Sequence, residues 1–451
     1  MGEHLACFKA YDVRGRVPED LNPEVAYKIG RAFADETGAK SVVVGHDIRL
    51  SGPELGEALT KGLNEAGVDV TDIGLCGTEM VYFATAHYGF DGGVMITASH
   101  NPPGDNGMKM VRSESRPISQ DTGLTNIEKR VHEGRFERSG NGKSSEQDVY
   151  DDYIQHLLGF CDPALMKPLK IVCRAGNGGA GITMRKLAPH IPLQITEMSF
   201  EPDGSFPIGV PNPILPESRK DIEDELRKGG HDFGVAWDGD YDRCFFLDGS
   251  GRFVEGYYIV GLLAKAILAQ EPGQPIVYDP RLIWNTLEII DEAGGTAVLC
   301  KSGHTFIKEK MRAVNAVYGG EMSAHHYFRK NWYCDSGMVP LLLIAQLVSE
   351  SGRSLAELVA GMVAKYPCSG EVNTKVADVA GVLGRVEQAY KDGRIDRVDG
   401  LSIEFDDWRF NLRGSNTEPV VRLNVESRRD DALVREKTED LLEIVRGQDR
   451  F

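Results

Sequence analysis

The sequence predicts an α/β protein: three similar mixed α/β domains with mostly parallel sheets, plus a C-terminal α+β domain, around a central cleft. Its 451 residues exceed what one hydrophobic core organises, and roughly 100–200 residues per domain gives three or four domains. Short apolar strands alternate with helix-like stretches three times over, the pattern of crossover connections and parallel sheets. The third strand of each repeat runs into a loop crowded with polar side chains, where an α/β sheet binds its ligand.

In the first repeat the strands are "SVVVGHD" (41–47), "VDVTDIG" (68–74) and "GVMIT" (93–97). In the second they are "LKIVCR" (169–174), "LQITEMS" (193–199) and "FGVAWD" (233–238). In the third they are "PIVYD" (275–279), "TAVLC" (296–300) and "AVYGGE" (316–321). Polar, small-residue breaks at 139–146, 248–251 and 366–370 place the domains at 1–142, 143–248, 249–366 and 367–451. The last piece differs, with "LSIEFDDWRFNLRGSNTEPVVRLNVESR" reading as antiparallel strands about a turn and "DDALVREKTEDLLEIVR" as a helix, a lid or cap. The loops that close the repeats read "TASHNP", "DGDYDR" and "EMSAHH", so one composite cleft between domains is the expected ligand site.

Composition excludes several classes of partner. Apolar residues at 41% and charged residues at 26% are ordinary for a soluble globular chain. The 51 Lys and Arg against 68 Asp and Glu leave a formal charge of −17, which favours neither nucleic acid nor an anionic membrane. An anionic ligand therefore needs a local cationic pocket. The start "MGEHLACFKAYDVRG" has no apolar h-region and no apolar span reaches membrane length, so a cytoplasmic protein is expected. Eight cysteines without a C-x-x-C pair read as reduced thiols.

In "GVMITASHNPPGDNGMK" (93–109) an apolar run stops at Thr97, and Pro102 and Pro103 forbid regular structure beyond it. Ser99, His100 and Asn101 are thus delivered together at a strand end. Ser99 lacks the G-x-S-x-G elbow of a serine hydrolase, and a capping or turn serine is the plain alternative to a chemical role. Asp238, Asp240 and Asp242 stand at i, i+2 and i+4, which in extended backbone puts three carboxylates on one side, where they need a cation. Hard oxygen ligands suit Mg2+. A calcium-binding EF-hand loop needs Gly and Glu where Arg243 and Gly249 stand, and a solvated acidic turn is again the plain alternative.

"LRGSNTEP" gathers Arg413, Ser415, Asn416 and Thr417 in a Gly-containing turn with Arg422 nearby, donors for a phosphate dianion as well as ordinary turn residues. Glu321, Ser323, His325 and His326 in "GGEMSAHH" offer partners for sugar hydroxyls and an imidazole for proton transfer. With a metal triad and a phosphate pocket elsewhere, the Ser99 oxygen reads as a carrier or acceptor of a phosphoryl group. No Walker lysine or kinase loop set is present, so a nucleotide is not a required donor. One competing motif stands apart: Gly176, Gly178 and Gly181 in "RAGNGGAG" match G-x-G-x-x-G, with Glu197 ending the next strand. A NAD-dependent dehydrogenase remains the reading from a different class, and it leaves the other loops unemployed.

"TASHNP", "DGDYDR", "GEMSAHH" and "RGSNTEPVVR", in this order, resemble the α-D-phosphohexomutases, and within them most closely the bacterial phosphomannomutase branch; the similarity runs from "FKAYDVRG" (8–15) to "NVESR" (424–428). The resemblance implies four domains and a reversible shift of phosphate between O1 and O6 of a hexose through a hexose 1,6-bisphosphate, which also acts as activator. It implies mannose 6-phosphate and mannose 1-phosphate as the pair, with glucose phosphates also accepted and the product feeding GDP-mannose synthesis. By this resemblance Ser99 is the phosphoserine, and Asp238, Asp240 and Asp242 hold Mg2+ against its phosphate. Arg14 and Lys109 flank that phosphate and assist proton transfer, with His325 a further acid/base. Glu321 and Ser323 grip the O3 and O4 hydroxyls, Gly303 and His304 contact the sugar, and Tyr11, Arg243 and Arg281 join the substrate-binding set. Arg413, Ser415, Asn416, Thr417 and Arg422 hold whichever phosphate is not reacting.

The chain departs from the family at Gly104-Asp105, where relatives commonly have Asp-Tyr, which bears on the packing near Lys109. Arg281 stands where some relatives use Lys, and Ile208 where Asn is usual. Mannose and glucose phosphates differ only at O2, so phosphoglucomutase or phosphoglucosamine mutase as the main activity stays open. A phosphosugar-binding protein without turnover would need a defect in Ser99 or the Asp triad. A monomer or weak dimer is expected, with no nucleic-acid or membrane partner.

Overall fold

A computed structural model describes residues 5–414 and 420–447. The chain divides into two compact units, Met1–Phe253 with His325–Ser354, and Val254–Ala324 with Leu355–Phe451. Among the described residues no helix is long and apolar enough to cross a membrane.

In the first unit one sheet runs in the order Val13–Arg16, Asp105–Arg112, Gly92–Ile96, Ser41–His46, Asp69–Leu75, Ser144–Glu146. Its last four strands are parallel, as the alternation of strand and helix predicts. The first two are antiparallel and were not anticipated. Pro102 and Pro103 do interrupt the chain, but only for a hairpin loop, because Asp105–Arg112 returns beside Gly92–Ile96 with Met95 opposite Lys109. Ser144–Glu146 lies inside a stretch read as a break, and exposed polar residues there serve as an edge strand through backbone pairing alone.

The helices Pro23–Thr37 and Gly52–Glu65 cover one face of this sheet. Asn22 caps the first, accepting the Val25 N–H at 3.1 Å, and Pro23 and Gly38 bound its ends. The two helices approach closely through glycines: a β-carbon on Gly62 would lie 2.2 Å from the Tyr27 carbonyl oxygen. A second sheet sets Phe233–Trp237 and Gln194–Met198 parallel to Lys170–Arg174, and Cys244–Asp248 antiparallel to Phe233–Trp237. The same unit contains the hairpin of His326–Phe328 with Cys334–Asp335.

In the second unit, Pro275–Tyr278 is flanked by parallel partners Thr296–Leu299 and Tyr318–Gly320. An antiparallel sheet follows in the order Val372–Lys375, Val420–Ser427, Trp408–Gly414, Leu401–Glu404, Arg394–Asp396. The helices Val379–Ala389 and Asp431–Val445 pack on it through Val386, Phe410, Val425 and Leu441. The α+β character expected of the C-terminal piece is therefore present.

One polar residue of the first unit is buried without being part of any motif. Glu79, in the helix Thr78–His87, is 1% exposed, and burial together with the Asp242 and Asp335 charges pushes its carboxyl from 4.5 up to about 8. The native state then keeps a proton that the unfolded chain releases near 4.5, so stability falls as pH rises through that window. Glu79→Gln is expected to gain on the wild type by about 1.4 kcal/mol per pH unit there. Denaturation midpoints from pH 5 to 8 check this, and a pH-independent difference would contradict it.

Candidate active site

The loop between the antiparallel strands Gly92–Ile96 and Asp105–Arg112 carries Ser99, wholly buried and in the left-handed region at φ 50°. Such backbone costs about 1–3 kcal/mol for a non-glycine residue and must be held by its surroundings. Asp47, acting through Thr97, and Arg49 hold it. Thr97 Oγ1 accepts the Ser99 N–H at 2.8 Å and donates to Asp47 Oδ2 at 2.6 Å. Arg49, 1% exposed, donates from Nη1 to the carbonyls of Pro102 and Asp105 at 2.7 and 2.8 Å, and from Nη2 to those of Ser99 and Asn101 at 2.9 and 2.6 Å. Asp47 lies 3.4 Å from Arg49 Nε. Both sit where "SVVVGHDIR" leaves its strand, the same strand-end signal that flagged the other loops.

Ser99 Oγ donates to Asp238 Oδ2 at 2.8 Å and lies 3.0 Å from His100 Nδ1. Burial, then the Arg243 and Arg14 charges, push the His100 imidazole well below its ordinary range, so it faces Ser99 neutral. Ligand oxygens of Asp238, Asp240 and Asp242 lie within 4.8 Å of one another, and all three residues are buried. The period-two expectation is corrected here. Extended backbone ends at Trp237, and a turn with Tyr241 at φ 45° gathers the carboxylates. The Tyr241 hydroxyl accepts the Gly77 N–H at 3.0 Å, its ring filling the space a side chain at Gly77 would need. The buried ring thus turns the chain between Asp240 and Asp242.

Lys109 answers the triad's charge, its Nζ 2.7 Å from Asp240 Oδ2 and 2.6 Å from Asp242 Oδ2. Burial opposes the charge on Lys109, yet the two carboxylates carry its pKa above the usual lysine range. Asp238, buried beside Asp242 and Asp240, is pushed up to about 7, whereas Lys109 holds Asp240 down against the burial penalty. Thr78 N–H donates to the Asp240 carbonyl at 3.2 Å, so the positive end of the helix Thr78–His87 also faces this loop. Asp240 Oδ1 and Asp242 Oδ1 are buried and find no hydrogen-bond partner among the described residues. Such oxygens fit a divalent metal ion.

Arg14 is fixed by Asp12, Nε to Oδ2 at 2.8 Å, and reaches Asn101 Oδ1 at 3.1 Å. Arg243 Nε lies 3.6 Å from Asp238. Tyr11 is half-buried in the bend before Val13–Arg16. His325 Nδ1 lies 2.9 Å from Asp335 Oδ2 and 3.9 Å from Asp242 Oδ1, a neighbour the sequence did not reveal. The Gly104-Asp105 departure leaves the strand Asp105–Arg112 intact, and Ile208 is 48% exposed.

In the second unit, Glu321 Oε1 accepts the Gly303 N–H at 2.9 Å and lies 3.3 Å from Arg281 Nη2, which also donates to Ser323 Oγ at 3.2 Å. Arg281 is anchored by Asp279, Nε to Oδ2 at 3.0 Å. His304 opens the helix His304–Val314 directly after Gly303. Arg413 and Arg422 are paired across neighbouring strands and share Glu371. Ser415, Asn416 and Thr417 lie outside the described residues. The glycine motif is used for packing: a β-carbon on Gly178 would lie 2.9 Å from the Gly239 carbonyl oxygen, and Glu197 pairs with Arg185 at 2.6 Å.

Two mixed sheets, a parallel three-strand sheet in the second unit and an antiparallel fourth, with a buried serine hydroxyl set against a carboxylate triad, fit an enzyme of the phosphohexomutase class. Family models for phosphoglucomutase/phosphomannomutase α/β/α domains I, II and III match residues 6–138, 151–251 and 255–366, and that for the C-terminal domain matches 371–444. The chain belongs to the phosphoglucomutase/phosphomannomutase family. It is 56% identical over 447 residues to a protein of Xanthomonas campestris pv. campestris named "Phosphohexose mutases", covering 98% of this chain and all of that one. It is 50% identical to the phosphomannomutase of Escherichia coli K12, covering 98% of this chain and 99% of that protein. A crystal structure of a phosphoglucomutase/phosphomannomutase family protein from Burkholderia thailandensis superposes with a TM-score of 0.88 at 33% identity, covering 99% of this chain and 98% of that one.

Removing the Arg49 guanidinium takes the counter-charge from buried Asp47 and a donor from the carbonyls of residues 99, 101, 102 and 105. Arg49→Met is expected to destabilise the first unit by about 3–5 kcal/mol. Amide exchange in residues 97–105 should accelerate with it, and unchanged protection of that loop would show that Arg49 does not hold it.

Proposed function

We propose that the protein interconverts mannose 6-phosphate and mannose 1-phosphate, accepts glucose phosphates as alternatives, and works through a phosphoserine at Ser99 and a hexose 1,6-bisphosphate. The observation that carries this reading is the Ser99 hydroxyl, buried and bonded at 2.8 Å to the first carboxylate of the Asp triad. Relatives named phosphomannomutase at about 50% identity over the whole chain support the choice of sugar.

Asp238, Asp240 and Asp242 would hold Mg2+, which when bound supplies positive charge at the phosphoryl group. In the forward half-reaction a sugar hydroxyl oxygen bonds to the phosphorus of phosphoserine 99 while the bond to Ser99 Oγ breaks. The sugar hydroxyl gives up its proton and Ser99 Oγ regains one. In the second half, Ser99 Oγ takes the other phosphate of the bisphosphate, so the atoms balance and the enzyme is restored. Lys109, fixed between Asp240 and Asp242, and Arg14, fixed by Asp12, would neutralise the phosphoserine and assist the proton transfer. With Nδ1 against Asp335, His325 would exchange protons through Nε2.

Glu321 and Ser323, held by Arg281 and the Gly303 N–H, would read the O3 and O4 hydroxyls. Arg413 and Arg422 would hold the phosphate that is not reacting, aided by Ser415, Asn416 and Thr417. These groups recognise features common to mannose and glucose, so activity on both sugars follows from the same contacts. Mannose 1-phosphate would then serve a nucleotidyl transfer yielding GDP-mannose.

Phosphorus NMR of the protein with Mg2+, mannose 6-phosphate and a trace of hexose 1,6-bisphosphate is expected to show a growing 1-phosphate signal. Ser99→Ala should cut its rate by at least about 10³-fold. Wild-type turnover by that variant would sink the phosphoserine role, and no signal with mannose or glucose phosphate would overturn the proposed substrate.

A further inference from the structure

Arg413 and Arg422 stand directly opposite each other on the antiparallel strands Trp408–Gly414 and Val420–Ser427. Like charges so paired repel and destabilise a sheet. Glu371 lies between them, 3.5 Å from Arg413 Nη2 and 3.7 Å from Arg422 Nη1, and 3.6 Å from Arg281 Nη1. Its position is built into the fold. Gly370, at φ +67°, has its carbonyl held by Asn424 Nδ2 at 2.8 Å, and Ser369 exchanges bonds with Val425 on either side of its own backbone and hydroxyl. Glu371 then enters the edge strand Val372–Lys375, whose pairing with Val420–Ser427 delivers the carboxylate to the arginines.

The three distances exceed the 2.7–2.9 Å or so of a tight charge-assisted bond. Glu371 therefore compensates the arginines without clamping them. It is nearly buried, whereas Arg422 is 30% exposed, so a dianion can approach the cluster from the side of Arg422.

We propose that Glu371 is an internal counter-anion that sets the phosphate affinity of this site: it occupies the charge position among Arg281, Arg413 and Arg422, and a substrate phosphate binds in competition with it. This rests on the reading of Arg413 and Arg422 as phosphate ligands. The consequence is a site that stays folded between ligands and grips phosphate less tightly than the same arginines would without Glu371. A bisphosphate that must leave and return reversed needs that weaker grip, since each end has to be released within one cycle.

Inorganic phosphate binding to the full-length protein, measured by calorimetry, tests it. Glu371→Gln is expected to bind phosphate at least threefold more tightly than wild type, and Glu371→Asp to shift the same way by a smaller factor. Weaker or unchanged binding in either variant overturns the inference. Arg413→Gln and Arg422→Gln should each weaken phosphate binding by tenfold or more, and if they do not, it is the phosphate-site reading that fails. Thermal midpoints separate competition from simple support: Glu371→Gln should melt below wild type without phosphate and recover with it, and a deficit that phosphate does not recover assigns Glu371 a structural role only.

Discussion

The arrangement of the first unit depends on one guanidinium. The loop from Thr97 to Gly104 is neither helix nor strand and closes turns through the Ala98 and Pro102 carbonyls, so the carbonyl of buried Ser99 needs a donor from elsewhere. Arg49 spends all four terminal N–H groups on the carbonyls of residues 99, 101, 102 and 105. Asp47 compensates its charge and, through Thr97, also fixes the Ser99 N–H. A left-handed serine in a loop between two buried strands thereby becomes a fixed point, and the direction of its hydroxyl toward Asp238 follows.

A second constraint is charge. Each of the two units gathers a cluster of one sign and supplies the opposite sign from its own chain: Lys109 against Asp240 and Asp242, and Glu371, with Asp279 and Glu321, against Arg281, Arg413 and Arg422. Bare buried charges of one sign would carry a desolvation penalty of several kcal/mol per ion with nothing to offset it. With internal counter-charges the clusters can be assembled before any ligand arrives, and an electrostatic site that is already assembled does not have to reorganise during reaction.

Much of this was legible in the amino-acid order. Every strand expected of the three repeats is present within two residues at each end, because short apolar runs between turn signals are strongly constrained when both faces are covered. Val13–Arg16 and Asp105–Arg112 escaped notice: the first is short and charged, and the second follows two prolines and mixes Asn, Gly and Lys with methionines. The Asp triad was found for its spacing, yet the spacing acts through a turn at Tyr241 and not through strand alternation. Arg49, Asp335 and Glu371 carried no motif, since each works by reaching residues distant in sequence, 50, 10 and up to 90 positions away.

The sequence by itself determined the alternation of strand and helix, the polar loops at strand ends, and the residue types that phosphate and metal chemistry require. These are local properties, set by periodicity, turn chemistry and side-chain functional groups within a few residues. Only the tertiary structure decided which carboxylate receives the Ser99 hydroxyl, which cation answers the triad, and which anion sits among the arginines. Those choices depend on distances between strands far apart in the chain, where burial raises the energy of any unpaired charge and so selects the partners that remain.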